Sequence, residues 1–141
     1  MSNKLIRLGF LSAGLTNLIG MLAVSEAFTN TLFNELSPTV FSNFGAVCIM
    51  LWGLAYLSVA HKALEVPLLC LVFAVEKFLY TGTWVVWAQH NWGQLATIQT
   101  QSPQTALFYS SYGLIDLAYG LFFLWVALLG FKQQPPAPHA H

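Results

Sequence analysis

The stretch V-P-L-L-C-L-V-F-A-V-E-K-F-L-Y-T-G-T-W-V-V-W-A, residues 66–88, decides the fold, because its 23 residues are broken only by one adjacent acid and base, Glu76 and Lys77. A helix crosses a ~30 Å hydrocarbon layer with about 20 mainly apolar residues, so this segment reads as a transmembrane helix with two charges near the midplane. Working outward, apolar runs of similar length recur on both sides. Residues 8–25 and 38–60 hold no charge, and residues 106–131 hold only Asp116. The expectation is an all-α integral membrane protein, a four-transmembrane-helix antiparallel bundle. Its spans lie at about 8–25, 38–60, 66–88 and 106–131, within a single membrane domain over residues 1–132.

Composition points the same way. Of 141 residues, 57% are hydrophobic and 7% are charged, with no net charge, whereas soluble domains carry roughly a quarter charged residues. A soluble enzyme, a disordered chain and an electrostatic nucleic-acid binder are excluded on that ground. A soluble four-helix bundle would show a polar face on each helix, and the second and fourth runs have none.

Capping chemistry marks the boundaries. Ser37-Pro38 is expected to cap and open the second span, Ser102-Pro103 to precede the fourth, and Pro67 to sit in the first turn of the third. The tail at 133–141 holds three prolines and is expected to be disordered, its His139 and His141 forming a flexible H-x-H end.

Lys4, Arg7, Lys62 and Lys132 fall on one side of this layout, and no Lys or Arg falls in the loops on the other. The positive-inside rule therefore places both termini and the turn at 61–65 in the cytoplasm of a plasma or bacterial inner membrane. In the first outer loop Phe28, Leu32, Phe33 and Leu36 recur at helical spacing, which predicts a short interfacial helix. Trp84, Trp87, Trp92, Tyr109 and Tyr112 are expected to form an aromatic belt at the same boundary. Lys4 and Arg7 ahead of an apolar run, with Ala23-Val24-Ser25 after it, also fit a cleavable leader. Gly9, Gly14, Asn17 and Gly20 within that run favour a retained, closely packed helix. A possible two-helix repeat shows in L-W-G-L-A-Y at 51–56 and L-I-D-L-A-Y at 114–119.

Three charges fall near the midplane: Glu76, Lys77 and Asp116. Each costs about 2.5 to 3.5 kcal/mol to insert on translocon scales, so they are expected to face inward, with Lys77 paired to Asp116. Polar and aromatic side chains follow at helical spacing. Tyr112 and Tyr119 flank Asp116, and Tyr80 and Trp84 follow Lys77. Asn17 comes from the first span, Trp52 and Tyr56 from the second. Two carboxylates against one ammonium leave an acid in surplus, and Glu76 is the expected proton holder.

These ten residues form the candidate site, a polar, aromatic-lined interior binding or carrying a small solute or a proton. Two alternatives stand beside it. One is a structural or assembly subunit of a larger membrane complex whose charges only clamp the helices. The other is a small membrane enzyme acting on a lipid-soluble substrate, with Asp116 or Glu76 as general acid or base. A carrier requires a cavity reaching the charges from one face, an enzyme an opening toward lipid, and a clamp neither. No metal and no cofactor are expected: Cys48 and Cys70 lie at different depths, His61 and His90 on opposite sides, and no nucleotide, zinc-protease or C-x-x-C motif occurs. The expected partners are the lipid bilayer and a second copy or larger membrane complex, with no nucleic acid.

Overall fold

The computed structural model describes residues 3–133, which are mostly helical with no strand among them. The helices are α1 (Asn3–Val24), α2 (Thr31–Glu35), α3 (Asn43–Val59), α4 (Pro67–Asn91), α5 (Leu95–Gln101) and α6 (Pro103–Gln133). Three helical stretches are long and apolar enough to cross a membrane: Asn3–Val24, Pro67–Gln101 and Pro103–Gln133. The apolar α3 is shorter. The tail lies outside the described residues except for Gln133, which ends α6.

Two of the three cap expectations hold. Pro67 opens α4, and the Ser102 hydroxyl accepts from the Thr105 N–H at 3.4 Å ahead of Pro103. Ser37-Pro38 does not open α3. That helix begins five residues later, where the Ser42 hydroxyl accepts from the Gly45 N–H at 3.0 Å. The reason is steric as well as polar, since the chain at Val40 folds back so closely that a Cβ on Gly45 would run into the Val40 carbonyl.

The long helices associate in two close pairs, α1 with α3 and α4 with α6. Gly14 and Gly53 make the first crossing: a Cβ on Gly14 would lie 2.8 Å from the Gly53 carbonyl oxygen, and one on Gly53 would lie 2.9 Å from that of Gly14. Small residues let helix backbones approach in this way. By contrast α3 and α4, although joined by a short turn, meet through long side chains, Trp52 and Tyr56 packing edge-on against Phe73.

Two apolar cores fill the bundle. At the end where α1 begins and α6 finishes, Phe10, Tyr56, Phe73 and Phe123 are fully buried with centroids as close as 4.8 Å. Phe33, Phe41, Tyr109 and Trp87 are buried at the other end. Here the structure corrects the expected aromatic belt: Trp87, Tyr109 and Tyr112 lie inside, and among the five residues only Trp92 is largely exposed. Their polar atoms are used inward. Tyr109 donates to the Phe33 carbonyl at 2.8 Å and Trp87 to that of Leu36 at 3.1 Å, which straps α2 across the end of the bundle.

The path into α2 is a sharp left-handed turn in which Glu26, Ala27 and Phe28 have φ of 49°, 53° and 72°. Side chains in this region cost about 1–3 kcal/mol per residue. The turn is held by hydrogen bonds from Ala27 N–H to the Leu22 carbonyl at 3.0 Å and from Asn30 N–H to that of Ser25 at 2.9 Å. The Asn30 side chain then bonds the Val24 carbonyl at 2.7 Å and Thr105 at 2.9 Å, tying α2 to α1 and α6.

Candidate functional site

Successive side chains on a helix diverge by about 100°, so Glu76 and Lys77 leave α4 toward different neighbours. Lys77 reaches α1 and α6. Its ammonium donates to Asp116 Oδ1 at 2.7 Å and to Asn17 Oδ1 at 3.0 Å, and it lies 5.5 Å from the centroid of the Tyr56 ring. Glu76 reaches α3, where the Tyr56 hydroxyl donates to its Oε2. Asn17 completes the frame by donating to the Ile49 carbonyl at 3.0 Å. The expected Lys77–Asp116 salt bridge is therefore present and buried, and its frame joins four helices.

The satisfaction of this frame is uneven. Both oxygen-directed partners of Lys77 sit at good distances, whereas Glu76 Oε1 is buried without a hydrogen-bond partner. Such orphans are rare in folded proteins and call for an explanation at each site. Asp116 is 13% exposed, against 2% for Lys77, so its carboxylate has an open side.

That open side faces a cleft of about 290 Å³ between α1 and α6, in the half of the bundle nearest α2. The volume is at the lower end of the ~300–1,000 Å³ typical of small-molecule sites. Glu76, Lys77, Asp116 and Asn17 line its deep end, and Met21, Phe41, Ile49, Tyr80, Phe108 and Tyr112 its walls. Thr16 and Ala23 on α1 and Leu107 and Ile115 on α6 are exposed along its rim, so it opens sideways between the two helices. A more open groove of about 510 Å³ runs between α3 and α4, and Glu76 and Tyr80 border both.

Of the ten residues read from the sequence, Glu76, Lys77, Asp116, Asn17, Tyr80 and Tyr112 line the cleft. Tyr56 stands behind Glu76. The other three are elsewhere: Trp52 lines the α3/α4 groove, Trp84 packs against Gly113 and donates to the Tyr109 carbonyl at 2.9 Å, and Tyr119 bonds Ser12 at 2.7 Å and Thr16 at 3.1 Å. Of the walls, sequence reasoning found Tyr80 and Tyr112 and missed the rest. Gln104, Phe108, Ser111 and Ile115 recur every three or four residues beside Asp116, a spacing that was readable once one face of α6 was known to be uncovered. Gly20, expected in close packing, meets nothing within 4 Å of a Cβ and instead borders the cleft.

Among the described residues no three His, Cys, Asp or Glu side chains gather around a point suited to a metal ion. Comparison with protein-family models, curated proteins and solved structures finds no match. The chemistry of the cleft rests on its own side chains.

Proposed function

We propose that this chain is a small integral membrane protein that binds a small amphipathic solute, entering sideways from the bilayer into the cleft between α1 and α6. In this reading α1, α3, α4 and α6 are four spans with both termini cytoplasmic. Lys4, Arg7, Lys62 and Lys132 then share the cytoplasmic side. The single observation that carries the proposal is that the cleft reaches Asp116 and the Glu76–Lys77 pair from a laterally exposed rim. A bundle held together by charges alone requires no such space.

The reading is one of binding within a leaflet rather than of a through-channel. The buried rings of Phe10, Tyr56, Phe73 and Phe123 close the half of the bundle below the charges. Passage across the whole bilayer by this chain would require those rings to move, or a second copy to supply the remaining path. The engagement of Lys77 by Asp116 and Asn17 favours a second reading, in which the frame is a clamp within a larger complex.

A photoreactive probe separates the two. In liposomes, 3-trifluoromethyl-3-phenyldiazirine partitions into the hydrocarbon and inserts into side chains that it reaches. The expected result is adducts at Asp116 or Tyr112, lost on Ser111→Phe, which fills the cleft. Adducts confined to outward residues such as Leu114 and Leu121, unchanged by Ser111→Phe, would favour the clamp.

A further inference from the structure

We infer that the ligand of this cleft is an amphipathic ammonium, a protonated amine on an apolar body, its charged end toward Asp116 and Glu76. The inference rests on the binding reading above and adds the chemical class of the solute. The first ground is charge: two carboxyl groups and one ammonium line the deep end of the cleft, so the surplus acid, Glu76 in the sequence reading, either holds a proton or is balanced by an entering cation. The second is the direction of the hydrogen bonds. Lys77 is already directed to Asp116 and Asn17, while Asp116 is engaged through Oδ1 and Glu76 Oε1 is orphaned. At the deep end an entering molecule therefore meets two carboxyl groups with free oxygen positions, beside an ammonium two of whose three N–H groups are already engaged.

The third ground is the wall. Tyr80 and Tyr112 present aromatic rings near those acceptors, with Phe41 and Phe108 lining the space farther toward α2, and ring faces attract a cation most where water is excluded. An anion would bring its charge against Asp116 and would have to share Lys77 with it. A bare inorganic cation would exchange its hydration for apolar walls. An ammonium with an apolar body meets both parts of the site, since its N–H groups make charge-assisted hydrogen bonds while its body fills the space toward the rim. Ser111 and Gln104 stand nearer the mouth and can accept from a second polar group on the same molecule.

Three probes of nearly equal shape test the class: 1-naphthylmethylamine, 1-naphthylmethanol and 1-naphthylacetate. They are equilibrated near neutral pH with the full chain in phosphatidylcholine nanodiscs, and empty nanodiscs give the partitioning baseline. The amine is expected to bind saturably and about tenfold more tightly than the alcohol, with no saturable binding of the acetate. Ser111→Phe, which leaves every charge in place, should abolish that binding. Asp116→Asn should weaken the amine about tenfold more than the alcohol. Because Asp116→Asn also unpairs Lys77, Glu76→Gln serves as a second charge variant that keeps the acceptor for Tyr56, with helicity followed by circular dichroism. Equal binding of alcohol and amine, or tighter binding of the acetate, would overturn the ammonium class and leave the cleft a binding site. No saturable binding of any probe would overturn both readings.

Discussion

A lysine ammonium away from water is stable only where its N–H groups find acceptors, and Lys77 finds a carboxylate, an amide oxygen and an aromatic face. Lys77→Met strands Asp116, at about 3 to 5 kcal/mol for a fully buried charge and less here because Asp116 keeps an exposed edge. The double variant Lys77→Met, Asp116→Leu should accordingly be more stable than the sum of the single losses allows. Unfolding in mixed micelles, followed by circular dichroism, measures the cycle, and additive losses would mean that the pair does not interact. Tyr56→Phe tests the other arm. It removes the donor to Glu76 Oε2 where Oε1 is already orphaned, and is expected to lower stability by about 1–3 kcal/mol, read as a fall in Tm. The charged residues of the site were legible in the sequence because ionisable groups are conspicuous in an apolar span. Which oxygen is satisfied and which is not was illegible, because that depends on the neighbour each rotamer meets.

At the scale of the elements, the close pairing of α1 with α3 depends on Gly14 and Gly53. Gly53→Ala places a methyl 2.9 Å from both the Gly14 carbonyl oxygen and Asn17 Cβ, and backbone cannot yield as a side-chain tip does. The expected cost is about 1–3 kcal/mol, with weakened anchoring of Asn17 at Lys77. Gly82→Ala is the matched control, since nothing lies within 4 Å of its Cβ; equal losses from both would remove the packing explanation. The left-handed turn offers a gain instead. Ala27→Gly relieves a side chain at φ 53° and should stabilise by about 1 kcal/mol, seen as a raised Tm. No glycine announces that turn, which is why the sequence placed Phe28 in the short outer helix, whereas that helix begins at Thr31. The helix α5 was likewise unread, since L-A-T-I-Q-T-Q is short and polar, and one buried side chain, Ile98, docks it.

For the whole molecule the proposed orientation has a direct test. A reporter fused after Lys132 should be cytoplasmic and one inserted at Gly93, in the exposed turn between α4 and α5, external. An external carboxy-terminal fusion would overturn the orientation. Both halves of the bundle hold a core of aromatic rings, and the half nearest α2 also holds the cleft. Hydrophobic burial does not drive helix association in lipid, where packing and interhelical hydrogen bonds carry it. The strap bonds from Tyr109, Trp87 and Asn30 therefore matter as much as the rings they bring together.

By itself the sequence determined that the protein is helical, that its long helices are apolar enough for a membrane, and that Glu76, Lys77 and Asp116 would lie inside. Those conclusions follow from run length and from the cost of stranding charge in an apolar medium, both properties of the chain read locally. Only the tertiary structure decided that α1 pairs with α3 and α4 with α6, that the tyrosines and Trp87 turn inward, and that α1 and α6 part beside Asp116 to leave a cleft. The physical reason is that a cavity is a failure of two surfaces to meet. It is specified jointly by residues far apart in the chain, such as Gly20 and Ser111, and neither carries a sign of it alone.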